Sequence, residues 1–160
     1  VVALADQAVK AAIRDLLETN ARGAVIGIAP AGAGKSYAIG TAVAAARKAK
    51  YRVAVAAPTN EQAFALVRDL AKRLPKETVS AIPASTVELP AECRLQNVVE
   101  RKAKDANSDS LLVGTLSKLG DAHSRGDLRP VDVLLIDEAF QANAVHYYAV
   151  GDLANRQVIA

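Results

Sequence analysis

Cysteine is almost absent from this 160-residue sequence, where Cys93 stands alone. One thiol can form neither an intramolecular disulfide nor a cysteine-built zinc site, which excludes the disulfide-stapled secreted class and points to an intracellular, cytoplasmic protein. Long apolar runs are missing too. None approaches the ~20 residues that a membrane-spanning helix requires, so no membrane association is expected. The chain opens on Val1-Val2 rather than Met, with no charged segment leading into an apolar core as a secretory signal has. Both ends read as cut from something longer. No internal repeat, low-complexity tract or linker interrupts the chain, so residues 1–160 are expected to form a single domain.

What is present is globular composition: 51% hydrophobic and 23% charged residues, with 20 cationic and 17 anionic side chains giving a formal charge of +3. That tilt permits a polyanionic partner without demanding one. Val9, Ala12, Ile13, Leu16 and Leu17 recur at helical spacing, so residues 6–19 read as an amphipathic helix that Asn20 and Gly23 end. An apolar strand at 25–29 then leads into a glycine-rich turn and an alanine-rich helix at 35–48. The pattern repeats, with a strand at 52–57, a turn at Pro58-Thr59 and a helix at 61–74 presenting Ala63, Leu66, Val67 and Leu70.

Residues 111–115 and 131–136 are apolar without alternation, as strands covered on both faces are. A helix at 141–150 and a last strand at 157–160 complete the pattern. Strand-helix alternation of this kind implies an α/β fold, a doubly wound, mainly parallel sheet with helices on both faces. The stretch 75–109 is opaque. Pro75, Pro83 and Pro90 punctuate it, a helix is expected near 95–106, and Arg101-Lys102-Ala103-Lys104 reads as a solvated helix face rather than a phosphate contact.

Two segments carry chemistry. Ala29-Pro30-Ala31-Gly32-Ala33-Gly34-Lys35-Ser36 matches the phosphate-binding pattern G-x-x-x-x-G-K-[ST], with Ala29 in place of the first Gly. It falls between a predicted strand and a predicted helix. There, successive backbone N–H groups and the helix N-terminus face a phosphate, and Gly32 and Gly34 let the backbone approach. Lys35 would reach the β- and γ-phosphates as a point charge. The Ser36 hydroxyl is a hard-oxygen ligand for Mg²⁺. About a hundred residues later Val131-Asp132-Val133-Leu134-Leu135-Ile136-Asp137-Glu138 is an apolar strand ending in two acids. Asp137 would hold the Mg²⁺ shell and Glu138 would orient and deprotonate the attacking water.

At Asp137-Glu138-Ala139-Phe140-Gln141 the sequence resembles motif II of superfamily 1 helicases, most of all the nonsense-mediated-decay and viral RNA helicase branch. The resemblance implies a RecA-like ATP-hydrolysing motor domain that takes ATP and Mg²⁺. Gln7 lies 28 residues before Lys35, as the family's adenine-reading glutamine precedes its P-loop, and an amide offers adenine both a donor and an acceptor. Ala57-Pro58-Thr59-Asn60-Glu61-Gln62-Ala63 resembles motif Ia, and Val113-Gly114-Thr115-Leu116-Ser117-Lys118 resembles motif Ic. In the family both contact single-stranded DNA or RNA, which implicates Pro58, Thr59, Asn60 and Thr115. Ordinary helix caps are the alternative for those threonines. Gln141 corresponds to the motif II glutamine that senses the γ-phosphate or the partner domain.

Gly151-Asp152 is not the family's G-D-x-x-Q motif III, since position 155 is Asn; the family's spacing puts that motif just past Ala160. The resemblance further implies a second RecA-like domain as partner, bringing an arginine worth ~10³ to 10⁵ in rate. The rival readings are a P-loop ATPase of another kind, AAA+ or PhoH-like, and a degenerate nucleotide-binding domain kept for protein interaction. A GTPase is disfavoured because no Asn-Lys-x-Asp guanine-reading motif occurs. Cys93, His123, His146, Tyr147 and Tyr148 have no partner at ligand or triad spacing, so packing is expected of each.

Overall fold

In the computed structural model the backbone is described at 23–26 and 35–159 and at eight helical positions between Gln7 and Glu18. Among the described residues seven strands are formed by β1 (Gly23–Ile26), β2 (Val53–Ala57), β3 (Val79–Ile82), β4 (Val98–Glu100), β5 (Leu111–Thr115), β6 (Val131–Ile136) and β7 (Ala154–Ile159). Every adjacent pair is parallel. They form one sheet in the order β1-β7-β6-β2-β5-β3-β4. Since all strands run one way, their C-terminal ends share a single edge, and the loops leaving that edge are where such sheets bind ligands.

Residues 53–57, 79–82 and 111–115 are buried at every position, as expected where helices cover both faces. Alternate residues of a strand point to opposite faces. Val53, Val55, Leu111, Val113, Val133 and Leu135 join one core with α1 (Lys35–Lys48) and α2 (Asn60–Arg73), while Ala54, Ala56, Leu112, Leu134 and Ile136 join another with α3 (Leu116–Ser124) and α4 (Ala144–Val150). The chain moves across the sheet in one direction from β1 to β2 to β3, and in the other from β5 to β6 to β7. With crossovers of one hand, reversing direction moves the connecting helices to the opposite face, and α1 and α2 are so separated from α3 and α4. Each buried Leu or Val, such as Leu66, Val67 and Leu70 of α2, contributes roughly 1.5–3 kcal/mol relative to exposure.

The helix expected near 95–106 does not form. Val98–Glu100 is instead the edge strand β4, paired to β3, and Ala103–Ala106 is one 3₁₀ turn. Val98 and Val99 are β-branched, and the backbone N–H of Arg101 goes to the Ala81 carbonyl rather than to a helical partner. Strand β3, inside the opaque stretch, has no sequence-based counterpart. The last helix starts later than expected, at Ala144, because Asn143 caps it, and the preceding Ala139–Gln141 is a separate 3₁₀ turn. β7 begins at Ala154, three residues earlier than its apolar part suggests. Gly151 and Asp152 lie in the turn between α4 and β7.

Candidate functional site

A strand and a helix flank the phosphate pattern, as expected: β1 ends at Ile26 and α1 begins at Lys35. The cradle, Ala29 to Gly34 with Pro30, Ala31, Gly32 and Ala33, lies outside the described residues, as do the side chains of Lys35 and Ser36. Gln7 is an exposed helical position.

The acidic pair is described in full. Asp137 follows β6 directly, is 8% exposed, and its backbone N–H bonds the Ala56 carbonyl at 2.9 Å, which extends the β2–β6 ladder by one rung. Its Oδ1 accepts the backbone N–H of Glu138 at 3.0 Å. Glu138 itself has φ 49° and ψ 40°, the left-handed region that a β-carbon makes costly by roughly 1–2 kcal/mol. Backbone strain of this kind clusters at functional sites. The kink turns the chain off the strand into Ala139–Gln141, and the Tyr147 hydroxyl of α4 donates to the Ala139 carbonyl and ties that turn down. Burial pushes the Tyr147 phenol above its ordinary range.

β7 is the one strand between β1 and β6. Two strand spacings separate their ends, about 10 Å. That spacing between the ends of β1 and β6 is wide enough for a phosphate chain and a cation. No group of three metal-ligating side chains occurs among the described residues. A Mg²⁺ ion does not need one, because it enters with phosphates and water and takes only one or two protein oxygens; buried Asp137 is a fitting donor.

Next to β6 stands β2, whose end carries Pro58, Thr59 and Asn60. Thr59 caps α2: its Oγ1 accepts the Gln62 backbone N–H at 3.3 Å, while Gln62 Oε1 accepts the Thr59 N–H at 3.2 Å, a reciprocal capping box. The Gln62 amide then donates to Gln141 Oε1 at 3.1 Å, and Gln141 Nε2 lies 3.5 Å from Glu138 Oε2. A polar chain therefore runs from the end of β2 to the acid after β6. Gln62 is the residue that sequence reasoning passed over, although the T-x-x-Q capping pattern was there to flag it.

Among the described residues Asn60 Oδ1 is buried without a partner, so an acceptor is open there to a ligand's donor. Thr115 at the end of β5 is 7% exposed and accepts the Lys118 N–H as the cap of α3. Its neighbour Ser117 is exposed instead. Thus Asp137, Glu138, Gln141, Pro58, Thr59, Asn60 and Thr115 all line one sheet edge.

A family profile described as AAA domain matches residues 5–159. The chain belongs to the AAA domain family. No curated protein matches the sequence. Among solved structures, a variant of S. cerevisiae Dbp5 bound to Nup159, a Gle1 variant, IP6 and ADP is similar over 94% of this chain and 40% of its own, with TM-score 0.63 and 15% identity. A nuclease-deletion mutant of the Type ISP restriction-modification enzyme LlaGI, in complex with a DNA substrate mimic, is similar over 98% of this chain and 17% of its own, with TM-score 0.65 and 18% identity. The chain spans less than half the length of either. At these identities the likeness establishes the fold, a RecA-like P-loop sheet. No described helix of this AAA domain is long and apolar enough to cross a membrane.

Proposed function

We propose that this AAA domain is the ATP-hydrolysing motor core of a superfamily 1 helicase, coupling hydrolysis to movement along single-stranded DNA or RNA in a longer protein. The observation that carries the reading is the pair Asp137-Glu138 at the end of β6, one strand removed from β1 in a sheet whose strands all run one way. In this reading residues 29–36 hold the phosphates, Lys35 balances their charge, and Gln7 reads adenine. Ser36 and Asp137 take Mg²⁺, which supplies charge neutralisation at the phosphates. Glu138 accepts the proton of the attacking water, and Gln141 steadies its carboxylate. Pro58, Thr59, Asn60 and the first turn of α3 after Thr115 hold the strand's backbone.

Support for nucleotide and nucleic acid comes from the ADP and the DNA mimic in the two similar structures. Support for a second RecA-like domain comes from Phe140, Val145 and Tyr148, large side chains left 77%, 71% and 86% exposed beside the Glu138 turn, where a domain delivering an arginine would dock. Resemblance alone points to the nonsense-mediated-decay-type branch. The runner-up is a P-loop ATPase without translocation, AAA+ or PhoH-like.

The test is MgATP binding and turnover, with and without oligothymidylate. Residues 1–160 tested on their own should bind MgATP weakly and turn it over slowly, because in this reading the arginine comes from the second domain. Lys35→Ala should abolish binding, and Glu138→Gln should keep binding while reducing hydrolysis by ~10² to 10⁴. Hydrolysis unaffected by Glu138→Gln would overturn the assignment. Oligonucleotide binding decides between the helicase reading and the AAA+ one.

A further inference from the structure

Beside the proposed strand-binding loops, and within the stretch of sequence that showed no chemistry, lies a cleft of about 840 Å³. Its walls are the segment after β3 (Pro83, Ser85), the segment after β4 (Arg101, Lys102, Lys104) and the first turn of α3 (Lys118). Arg125 and Asp127 close its far end. Five cationic and three acidic side chains line it, the acids being Glu100, Asp105 and Asp127.

Two of the five cations are already committed. Arg125 pairs with Asp121 at 2.7 Å and Asp127 at 3.3 Å, and Arg101 pairs with Asp109 at 3.2 Å. Among the described residues no carboxylate pairs with Lys102, Lys104 or Lys118; the Lys118 ammonium donates only to the Ser85 hydroxyl, at 3.1 Å. Three ammonium charges around an open cleft suit an anion held by its charge, not one read by a planar fork.

The position of the cleft says which anion. The sheet order continues from β6 through β2, β5 and β3 to β4, and the cleft opens at the C-terminal ends of those last strands. Arg101 is level with Ile82, since its N–H bonds Ala81 O, and Ile82 is in register with Gly114, one residue before Thr115. A polymer crossing Thr59 and Thr115 therefore runs on into the lysines, about 14 Å from the β2 end at three strand spacings. We propose that this cleft is an extension of the nucleic-acid track, gripping the phosphates of a single strand through Lys102, Lys104 and Lys118 without reading bases. It rests on the nucleic-acid reading given above.

The test is fluorescence anisotropy of labelled oligothymidylates of about 4 to 16 nucleotides across a salt series. Neutralising all three lysines (Lys102→Ala, Lys104→Ala, Lys118→Ala) should weaken the long probe, spare the shortest, and lower the slope of log affinity against log salt by about 2, at ~0.7 for each phosphate no longer neutralised. Replacing them by arginine should restore the slope, and Glu100→Gln with Asp105→Asn should tighten binding. The lysines are on the surface, and circular dichroism checks that each variant is folded. A triple variant with wild-type affinity and slope overturns the proposal. If Thr59→Ala with Asn60→Ala abolishes binding while the triple lysine variant does not alter it, the cleft fails and the underlying reading stands. A wild-type chain that binds no oligothymidylate sinks both, and polyglutamate displacing the probe as well as nucleic acid does overturns the cleft's assignment.

Discussion

Glu138 occupies a left-handed backbone conformation, and that has a measurable sign. At ordinary helix or strand positions alanine is more stable than glycine by about 0.5–1 kcal/mol, because glycine has more freedom to lose on folding. At φ 49° and ψ 40° an alanine carries the left-handed cost of roughly 1–2 kcal/mol and glycine does not. Subtracting one from the other leaves glycine ahead by about 0 to 1.5 kcal/mol, centred near 0.7. Glu138→Gly and Glu138→Ala both remove the carboxylate, so whatever its interactions are worth cancels in the comparison. Urea unfolding with a slope of about 2 kcal/mol/M should place the Gly variant's midpoint ~0.4 M above the Ala variant's. Lys50, exposed at φ 64° just past α1, is a control away from the acids, and Lys50→Gly should likewise exceed Lys50→Ala. An Ala variant more stable than the Gly variant at 138, with the usual order inverted at 50, would refute the claim that the catalytic candidate is held under strain.

Gly120→Ala in α3 should destabilise by about 1–3 kcal/mol despite alanine's better helix propensity, because the added β-carbon meets the Ala149 β-carbon at 2.7 Å and its carbonyl carbon at 3.1 Å; a rise in melting temperature would count against the α3–α4 contact. The Arg52 guanidinium donates to the carbonyls of Ala106, Asp109, Arg129 and Pro130, and burial lowers its pKa, with Arg129 adding in that direction and Asp109 and Asp132 opposing. Arg52→Ala should cost about 2–4 kcal/mol in chemical denaturation, with Arg52→Lys recovering little because an ammonium cannot span the fork.

Burial, with Glu92 adding and Arg68 opposing, pushes the Cys93 thiol up, and burial pushes Tyr147 up. The unfolded chain then loses these protons first, so stability is fully present below the ordinary thiol range and falls as pH rises past about 8.5. A Cys93→Ala, Tyr147→Phe double variant should flatten that alkaline fall in melting temperature; an unchanged pH profile would remove both groups as its cause.

The parts of the fold legible in the sequence are those where local pattern and tertiary demand agree. Residues 111–115 and 131–136 are strands as expected because continuous burial leaves a continuous apolar run, and 35–48 is a helix as expected because alanine-rich sequence has no competing preference. The stretch 75–109 hid β3 and β4 because a strand of three or four residues is too short for any period to show, and β4 is half-exposed on the sheet edge. Its Lys and Arg residues suggested a solvated helix face; in the fold, the sheet edge and the start of α3 gather them around one cleft. The acidic pair Asp137-Glu138 was readable from type and spacing, whereas the Gln62–Gln141 contact joins residues 79 apart in sequence and arises only once β2 and β6 are neighbours.

The threonines show where residue type stops being informative. The first turn of a helix presents four backbone N–H groups without intrahelical acceptors, and a capping hydroxyl satisfies one of them. Thr59 and Thr115 each do so, which is what a pure cap requires, yet the remaining N–H groups stay available to a phosphate. A cap and an anion site therefore select the same residue at the same place, and sequence cannot separate them. Exposure can. Thr115 is buried under its cap while Ser117 faces solvent one residue into α3, so a strand passing this edge meets the Ser117 hydroxyl and the α3 N–H groups, and Thr115 acts by holding that turn in place. On this argument Ser117→Ala should weaken oligothymidylate binding without changing the melting temperature. Thr115→Ala should lower the melting temperature by the loss of a cap, about 1 kcal/mol, and weaken binding only as far as the turn loosens. Thr115→Ala abolishing binding at unchanged stability would reverse these roles.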